Sequence, residues 1–373
     1  MPVLGIAAAL TVLLWIYLLL GRGLFWRMRE ARFSRGPVPA RRVAVVIPAR
    51  DEAEAVGEAL ASLVAQDYAG PFEIFLVDDH STDSTAAIAH RAGVRVLSAS
   101  PLPDGWTGKL WALSEGVREA ERSSPDYFLF TDADIVHAPG NLAGLVALAE
   151  EGGYDLTSLM VQLRCETLAE RALIPAFVFF FFKLCPPRWI ASAKHSTAGA
   201  AGGCILIRRE ALDRIGGIAA VRGELIDDCA LAQAVKRSGG RIWLGLTSET
   251  RSIREYGTFA EVGRMISRSA FTQLRYSALL LAGTILGMSA IYLLPPVLLL
   301  GYRAWLAALA WLMMMLAYAP VLRLYRRSLL WAPALPLIAL FYTAATVHSA
   351  LCYWRGRGGA WKGRAQAARG AAR

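Results

Sequence analysis

Four stretches of the chain contain no Lys, Arg, Asp or Glu, and each is long enough to cross a lipid bilayer. They cover residues 1–21, 276–302, 304–322 and 328–354 and are 21, 27, 19 and 27 residues long. About 20 predominantly apolar residues span the ~30 Å hydrocarbon core of a membrane as a helix. Only 19% of the 373 residues are charged, against about 25% in an ordinary soluble domain. The sequence therefore predicts an integral membrane protein and excludes a disordered chain, a collagen-like fibre and a small disulfide scaffold.

The basic residues lie beside these apolar stretches. Residues 22–42 contain seven Arg and one Glu, and the tail 353–373 contains six basic residues and no acidic one. Lys and Arg flank membrane spans on the cytoplasmic side and contact anionic lipid headgroups. The net charge of +10 therefore indicates membrane topology, and no nucleic acid partner is expected. Because no basic residue precedes the first stretch, it is predicted to be a retained anchor rather than a cleaved signal peptide.

The charge pattern predicts the order of segments along the chain. They are an N-terminal transmembrane anchor (1–21), a basic juxtamembrane segment (22–42), a central domain (43–250), an amphipathic interface helix region (251–275), a C-terminal transmembrane region (276–354) and a basic cytoplasmic tail (355–373). The C-terminal region crosses the membrane two or three times in this prediction. With two crossings, Pro295-Pro296 would break its first stretch into a re-entrant hairpin, and the tail would lie on the same side as the central domain.

The central block alternates strand-like and helix-like patterns. Strands are predicted over residues 42–48, 72–77, 94–97, 127–130 and 204–207, and helices over 51–66 and 81–92. Strands that alternate with helices predict an α/β fold with βαβ crossovers and a mainly parallel sheet. Ligands of such sheets bind at the carboxyl ends of the strands. The acidic clusters at 78–79 and 132–134 directly follow predicted strands, so both are expected to line that crevice.

Two apolar segments beyond residue 150 have no obvious place in this sheet. Ile174–Cys185 is too short to span a bilayer and fits a core helix and an interface helix equally well. Residues 254–275 carry four arginines among apolar residues, at a spacing typical of an amphipathic helix at the membrane surface. The four are Arg254, Arg264, Arg268 and Arg275.

Acidic residues recur where predicted strands end. Asp132 and Asp134 stand one residue apart, and carboxylates at this spacing can share Mg²⁺ or Mn²⁺ with phosphate oxygens. Alone, such a DxD triplet is weak evidence for a metal site, because most DxD triplets form solvated turns. Asp78-Asp79 fits either a helix-capping turn or a pair that accepts hydrogen bonds from a nucleotide base and ribose.

A lysine and a later acidic pair complete the set. Lys109 follows a Gly-rich turn, where a lysine either binds phosphate or begins a solvated helix, and the Walker pattern is absent. Asp227 and Asp228 are adjacent on a predicted helix, so one can face the crevice and act as a general base for an alcohol. Together these groups predict a diphosphate held by a metal ion and a lysine beside an acid that activates a hydroxyl. These groups are suited to displacing a nucleoside diphosphate from a sugar.

These motifs resemble those of family-2 glycosyltransferases with the GT-A fold, and specifically the bacterial hopene-associated glycosyltransferases. The resemblance is carried by VVIPARDEAE (45–54), VDDHSTDST (77–85), GWTGKLWAL (105–113), FTDADI (130–135), GGCILIRREALDRIGG (202–217), LIDDCALA (225–232) and FTQLRYS (271–277). The membrane stretches match as well, so the resemblance covers nearly the whole chain. It implies a GT-A nucleotide-sugar-binding domain at 43–250, facing the cytoplasm, in a multi-pass protein of the bacterial inner membrane.

The resemblance also implies roles in donor binding. Glu52 and Asp79 would contact the base and ribose of the nucleotide. Lys109 and Asp132 would contact its ribose-phosphate part. Asp134, together with Asp132, would hold the divalent cation, Mg²⁺ or Mn²⁺.

Catalysis is implied for the late acidic pair. Asp228, beside Asp227, matches the second acid of the ED motif of the family and would be the base of an inverting single displacement. Asp51 departs from the pattern, because many relatives have Asn before the Glu. The family QxxRW motif is absent, and Gln273-Leu274-Arg275-Tyr276 is its nearest match, one residue shorter. Trp106, Gln273, Arg275 and Tyr276 are the residues assigned to the acceptor and diphosphate side.

The expected function is transfer of a sugar from a nucleotide sugar, with UDP as the expected nucleotide, to the hydroxyl group of a lipid such as a hopanoid. Membrane lipids are expected partners. Other acceptors remain open: polyprenyl phosphate, sphingolipid-like lipids and carotenoid-like lipids. Two other classes of protein also remain open. One is a non-catalytic membrane scaffold that binds nucleotide, and the other is a metal-dependent nucleotidyltransferase, which would release pyrophosphate.

Overall fold

The structure is a computed structural model that describes residues 2–31, 33, 39–357, 360–361 and 364–365. Most of the predicted basic tail, and part of the basic segment 22–42, lie outside the described residues. The chain divides into two compact units. The first consists of Met1–Met28, Cys165–Arg188 and Glu255–Ala360, and the second of Arg29–Arg164, Trp189–Arg254 and Trp361–Arg373.

The described helices and strands follow in chain order. The α-helices are α1 Pro2–Leu20, α2 Val56–Val64, α3 Thr85–Arg91, α4 Gly108–Ala120, α5 Asn141–Gly152, α6 Leu168–Leu184, α7 Pro187–Ile190, α8 Arg209–Arg214, α9 Asp227–Arg237, α10 Phe259–Ser267, α11 Ala270–Gln273, α12 Ala278–Met288, α13 Leu294–Tyr302, α14 Leu306–Leu324 and α15 Leu335–Trp354. The strands of the main sheet are β1 Val43–Ala49, β2 Phe72–Asp78, β3 Arg95–Ser98, β4 Tyr127–Phe130, β5 Ile135–Val136, β6 Leu156–Gln162, β7 Ile205–Arg208 and β8 Ile242–Ser252. Short 3₁₀ turns cover Glu121–Ser123, Ile218–Val221 and Leu329–Ala334, a π-helical turn covers Ser289–Leu293, and a small two-stranded ladder joins Ala360–Trp361 to Arg364–Ala365.

The second unit is built on an eight-stranded sheet in the order β3-β2-β1-β4-β7-β6-β8-β5. β1 pairs in parallel with β2 and β4, β2 with β3, and β6 with β8. β7 runs antiparallel to β4 and β6, and β5 antiparallel to β8. The predicted α/β class with a mainly parallel sheet is therefore confirmed, and the sheet is mixed in its second half.

The core of this unit lies on both faces of the sheet. All seven residues of β1 are buried, and Val45 and Ile47 pack with Leu60 of α2 and Leu145 of α5. Burying each such side chain contributes about 1.5–3 kcal/mol. On the other face, α4 comes so close to β1 and β2 that a Cβ at Gly116 would overlap neighbouring valines. This close packing fixes the start of α4 relative to the ends of the central strands.

The first unit contains the candidate membrane spans. Among the residues that the structure describes, four helical segments are long and apolar enough to cross a membrane: Val3–Leu20, Ala278–Tyr302, Leu306–Leu324 and Leu329–Trp354. Pro295-Pro296 does not reverse the chain, because these prolines lie in the first turn of α13, where their missing N–H groups are tolerated. The re-entrant hairpin considered from sequence is therefore not formed in the structure.

The phenylalanine-rich segment at 174–185 belongs to α6 and packs inside the first unit. Phe179 lies edge-on to Tyr318, and Phe180 contacts Tyr292 and Tyr342. Phe179 is fully buried. The segment is therefore a largely buried helix of the first unit, and its place relative to the membrane surface stays a prediction.

The predicted amphipathic helix at 254–275 is wrong in its extent. The helical part is α10, whose N-cap Thr258 and Glu261 form a reciprocal capping box, followed by the short α11. β8 continues to Ser252, past the domain boundary predicted at 250, and Arg254 follows it in the second unit, outside any helix. Arg254 is therefore not part of a surface helix.

Two predicted helices begin later than the sequence suggested. The helix expected from residue 51 begins at Val56, and the helix expected from residue 81 begins at Thr85. The residues in front of each helix form loops, because side chains of one loop accept hydrogen bonds from the backbone of the other: the N–H of Ala53 donates to the carboxylate of Asp83 (3.0 Å). These loops belong to the site described next.

Candidate functional site

The loops that follow β1 and β2 are tied together at the carboxyl edge of the sheet. The N–H of Asp79 donates to the carbonyl oxygen of Ala49 (2.8 Å), and Arg50 Nη1 contacts the Asp79 carbonyl oxygen (2.6 Å) and carboxylate (3.4 Å). Asp51 has a left-handed backbone (φ 50°), which Asp and Asn adopt more readily than most other residues. Its carboxylate accepts the N–H of Thr82 (2.7 Å). The predicted donor residue Asp79 is thus held at the expected edge.

Lys109 lies in the first turn of α4, where the Thr107 hydroxyl caps the helix by accepting the N–H of Leu110. Its Nζ lies 2.9 Å from Asp132 Oδ1 and 3.1 Å from Asp227 Oδ2. Burial lowers the pKa of Lys109, but the two carboxylates outweigh burial and raise this pKa above its ordinary value. The charged lysine therefore joins the end of β4 to the start of α9.

Asp228 lies beside this pair in the first turn of α9. Its Oδ2 accepts the N–H of Gly202 (2.8 Å), and its Oδ1 accepts the N–H of Cys229 (2.7 Å). A Cβ at Gly202 would lie 3.2 Å from Lys109 Nζ and 3.4 Å from Asp228 Oδ2, so glycine allows this close approach. Burial, with help from the Asp227 charge and against that of Lys109, raises the pKa of Asp228 to about 6. A carboxylate with this pKa is suited to accept a proton near neutral pH.

These side chains line one cavity. Its polar wall consists of Lys109, Thr131, Asp132, Gly202, Asp227 and Asp228, and its apolar wall of Pro48, Leu110, Leu113, Phe130, Ile205, Ile218 and Leu231. The structure therefore brings together four predicted site residues from three separate parts of the sequence. The site is therefore marked by the convergence of these charged groups.

Arg254 contacts two other predicted site residues, Glu52 of the donor site and Asp134 of the metal site. Asp134 Oδ2 accepts hydrogen bonds from Ser252 Oγ (2.8 Å) and Arg254 Nε (3.1 Å). The same guanidinium contacts Glu52 Oε1 at 2.6 Å. The N–H of Ile253 donates to the carbonyl oxygen of Asp134 (3.0 Å), which continues the β5–β8 pairing. Glu52 and Asp134 are thus linked through Arg254.

The residues predicted to hold a metal ion have different partners. Asp132 contacts Lys109, whereas Asp134 contacts Arg254. Among the described residues, no three His, Cys, Asp or Glu side chains form a group that could hold a metal ion. Mg²⁺ at nucleotide sites is usually bound by one or two carboxylates, with substrate phosphates and water completing its shell. The hard oxygens of Asp132, which is 36% exposed, and Asp134 fit that kind of site, and the metal site stays a prediction.

A chain of buried polar groups supports the start of the DxD segment. Thr131 Oγ1 donates to the Gly203 carbonyl oxygen (2.9 Å) and lies 2.9 Å from His137 Nε2. Because the Thr131 proton is used there, we assign the imidazole proton to Nε2, and Nδ1 accepts from Asn141 Nδ2 (2.9 Å). Burial lowers the pKa of His137 to about 4, which keeps the ring neutral. The network fixes the end of β4, just before Asp132, against the backbone of Gly203.

The four residues predicted on the acceptor side have other neighbours. Trp106 packs edge-on against a second tryptophan, with 5.1 Å between ring centroids. Gln273 ends α11, and Tyr276 stacks on Tyr353 (4.3 Å). Arg275 and Tyr276 both have positive φ. The last three predicted residues belong to the first unit, and the roles of all four stay predictions.

Sequence reasoning missed Arg50, Gly202 and Arg254. Arg50 directly follows the first strand, and that position was the available signal. Gly202 lies in a motif that was recognised, but nothing in the motif indicates that its N–H holds Asp228. Arg254 was assigned to a helix because strand β8, which ends two residues earlier, was not recognised.

Lys236, near the end of α9, holds the segment that leads to Gly202. Its Nζ donates to three backbone carbonyl oxygens, those of Trp189 (3.0 Å), Ile190 (2.7 Å) and Thr197 (2.7 Å). We call residues 189–202 the glycine-rich loop. The loop is therefore attached to α9 at both ends. Lys236 binds its first residues, and Asp228 binds the N–H of Gly202 at its last residue.

Replacing Lys236 with Met is expected to loosen the glycine-rich loop. Three carbonyl groups would lose a charged donor, and hydrogen bonds to charged groups each contribute about 1.5–3 kcal/mol. We expect faster tryptic cleavage after Lys194, an exposed residue within the loop, measured by limited proteolysis and mass spectrometry. Arg237→Met, which removes an exposed neighbouring charge, is the control. Equal cleavage rates in Lys236→Met and the control would contradict the assignment.

Comparison with known proteins finds a family match within the chain. Residues 44–216 match the model of the family described as Glycosyl transferase family 2. This range contains Glu52, Asp79, Lys109, Asp132 and Asp134, whereas Asp227 and Asp228 lie beyond it.

A curated relative and a solved structure extend this finding. The chain is 30% identical over 127 residues to 4,4'-diaponeurosporenoate glycosyltransferase of Staphylococcus aureus; the match covers 34% of this chain and 32% of that protein, so it spans about a third of the length of the relative. The fold is similar to that of mannosyltransferase PcManGT from Pyrobaculum calidifontis, solved with GDP-Man and Mn²⁺ (TM-score 0.54, 19% identity, covering 93% of this chain and 99% of that one). Residues 44–216 are therefore similar to glycosyl transferase family 2 domains, and the described residues of the chain include four helices long and apolar enough to cross a membrane.

Proposed function

We propose that the protein is a membrane-bound, inverting glycosyltransferase that moves a sugar from a nucleotide sugar to a lipid hydroxyl group. The observation that carries the proposal is the convergence of Lys109, Asp132, Asp227 and Asp228 at one edge of the sheet. One of these groups, Asp228, has the pKa of a general base, and another, Lys109, is a fixed cation. Both belong to a chain with a family-2 glycosyltransferase domain.

The charge of the site supports a divalent cation as cofactor. Glu52, Asp132, Asp134, Asp227 and Asp228 supply five carboxylates, and Lys109 and Arg254 supply two cations. This set carries a formal charge of −3 when all its members are ionised, which would repel a nucleoside diphosphate. A divalent cation removes most of that repulsion. PcManGT, whose fold is similar, was solved with Mn²⁺.

In the proposed reaction, Asp228 accepts the proton of the acceptor hydroxyl as its oxygen attacks the anomeric carbon. The bond between that carbon and the diphosphate oxygen breaks on the opposite face, so the configuration inverts. The N–H groups of Gly202 and Cys229 hold the Asp228 carboxylate in one orientation. Its raised pKa makes it basic enough to take the proton as the new bond forms.

Lys109 balances charge at the diphosphate side of the cavity. It is fixed between Asp132 and Asp227 and remains protonated. A divalent cation held by Asp132, Asp134 and the donor phosphates would act there as a Lewis acid for the leaving diphosphate. Glu52 and Asp79 are the proposed contacts of the base and ribose, and UDP is the proposed nucleotide.

A lipid acceptor is proposed because the chain has four candidate membrane spans and a relative named for a carotenoid-derived acceptor. From the family resemblance we propose a hopanoid, with the catalytic domain on the cytoplasmic side of the bacterial inner membrane. The specific relative favours a second candidate, a carotenoid-like lipid. Trp106, Gln273, Arg275 and Tyr276 are the proposed acceptor-side and diphosphate-side residues.

The proposal predicts how transfer depends on pH. Asp228 must be deprotonated to accept a proton, and its pKa is about 6. The rate at saturating donor is therefore expected to fall about tenfold per pH unit below pH 6 and to level off above it. The measurement is the initial transfer rate between about pH 4.5 and 8.5, with unfolding followed in parallel by intrinsic fluorescence. A rate that stays constant down to pH 4.5 in folded protein would contradict Asp228 as the base.

A transfer assay tests the function. The full chain in lipid nanodiscs with Mn²⁺ would receive labelled UDP-sugars or GDP-mannose, with hopanoid-containing or carotenoid-containing lipid as acceptor. We expect label to move into the organic phase in a donor-dependent and metal-dependent manner. Asp132→Ala is expected to abolish transfer, whereas Asp213→Asn, at an exposed position on α8, is expected to retain it. Metal-dependent nucleotide binding without transfer to either lipid would refute the lipid acceptor, and release of pyrophosphate would indicate a nucleotidyltransferase instead.

A further inference from the structure

Arg254 binds the carboxylate that the proposed function assigns to the metal ion. Its Nε lies 3.1 Å from Asp134 Oδ2, and its Nη2 lies 2.6 Å from Glu52 Oε1. Both carboxylates are largely buried, with side-chain exposures of 9% and 12%, whereas the arginine side chain is 35% exposed. The guanidinium thus neutralises two carboxylates from the solvent side.

The contact with Asp134 uses one of the two carboxylate oxygens that could bind a metal ion. Asp134 Oδ2 already accepts the hydroxyl of Ser252 (2.8 Å) as well as the guanidinium. An oxygen with two donors has no lone pair directed at a third cation, so a divalent ion on Oδ2 must displace one of them. A charged guanidinium close to a divalent cation is also repelled by it. Of the two donors, Arg254 is the one that a metal ion would displace.

The backbone around Arg254 is anchored independently of its side chain. The N–H of Ile253 donates to the Asp134 carbonyl oxygen (3.0 Å), and the N–H of Arg254 donates to Ser252 Oγ (3.3 Å). These bonds hold the end of β8 in place. Release of the guanidinium therefore requires rotation of a long, partly exposed side chain and no movement of the sheet.

We propose that Arg254 is an internal counterion of the donor site, which holds Asp134 and Glu52 in the metal-free protein and gives way to the divalent cation. The inference rests on the proposed function, because that function assigns the cation to Asp134. Arg254 is in this role a positioning residue: it keeps two buried carboxylates in place and sets how tightly the metal ion binds before the nucleotide arrives.

The test is Mn²⁺ binding by the full chain without nucleotide, measured from the electron paramagnetic resonance signal of free Mn²⁺. Arg254→Gln removes the competing charge and is expected to bind Mn²⁺ about tenfold more tightly than the parent, since one charge-assisted contact corresponds to roughly that factor. Arg251→Gln is the matched control, because Arg251 pairs with Glu58 on the surface (3.3 Å, side chains 58% and 55% exposed). Affinity that is unchanged or weaker in Arg254→Gln would overturn the inference.

A second measurement uses the unmodified protein, so it does not depend on how the variant folds. Phenylglyoxal modifies accessible arginines, and the modified peptides are quantified by mass spectrometry. Mn²⁺ is expected to raise the rate at Arg254 severalfold and to leave that at Arg251 unchanged. No change, or protection of Arg254 by Mn²⁺, would overturn the inference. Neither measurement involves sugar transfer, so loss of transfer in the assay above would refute the proposed function while these results stand on their own.

Discussion

Replacing Asp228 with Asn is expected to reduce sugar transfer by about 10²–10⁴-fold, the usual contribution of a positioned general base. The variant keeps the shape of the side chain but has no basic oxygen. It also places an amide where two N–H groups now donate, those of Gly202 and Cys229, so one hydrogen bond is lost. The lost hydrogen bond costs about 1–3 kcal/mol, but the change also removes a carboxylate whose pKa is raised in the folded protein, which offsets part of that cost. The net change in the free energy of unfolding is therefore expected to be much smaller than the loss of rate would require if unfolding were its cause.

Three measurements separate these effects. Initial transfer rates give the catalytic loss, thermal unfolding gives the loss of stability, and isothermal titration with the nucleoside diphosphate and Mn²⁺ tests whether the donor site survives. Asp213→Asn, an isosteric change on the exposed side of α8, is the control. If Asp228→Asn transfers sugar within about threefold of the parent rate, another residue must act as the base.

Replacing Lys109 with Met is expected to have the second largest effect, on stability and on donor binding together. Lys109 is the cation between Asp132 and Asp227, at 2.9 Å and 3.1 Å, and Asp228 lies close by. The three side chains are half-buried, with Asp132 36% exposed, so the cost is smaller than the roughly 3–5 kcal/mol typical of a fully buried ion pair, and we expect about 1–3 kcal/mol. The nucleoside diphosphate should bind at least about tenfold more weakly, because a fixed positive charge is lost.

A double-mutant cycle identifies the cause. If repulsion among the carboxylates destabilises Lys109→Met, adding Asp132→Asn should restore part of the free energy of unfolding. Lys194→Met, at an exposed position in the glycine-rich loop, controls for the loss of a lysine. Stability of Lys109→Met equal to that of the control would contradict the ion-pair network.

The parts of the fold that could be predicted from sequence are those with unbroken apolar patterns. β1, β2 and β4 are short runs of buried residues followed by acidic residues, so both the strands and the edge at which they end were predictable. β6 and β8 were missed because they carry polar residues inside the sheet. Thr157 and Ser158 are fully buried, and Ser158 Oγ bonds to backbone groups of the glycine-rich loop, a partner that no local pattern indicates.

The same reasoning explains what was missed in the site. Lys109, Asp132, Asp227 and Asp228 were predicted as a group because motifs mark each of them, and the structure brings them to one cavity. Arg254 could not be placed, because its contacts with Glu52 and Asp134 join residues 202 and 120 positions away in the sequence. Such contacts depend on the order of strands in the sheet, which the sequence pattern did not reveal.

Because the glycine-rich loop is attached to α9 at two points, the number of residues between these points on the helix is constrained. Asp228 and Lys236 are eight residues apart on that helix, or about 12 Å along its axis. Inserting or deleting one residue between them would turn one attachment about 100° away from the loop. Chimeras that exchange loop residues 191–196 among related enzymes, while keeping the length of α9, should therefore alter what the loop contacts and leave the base in position.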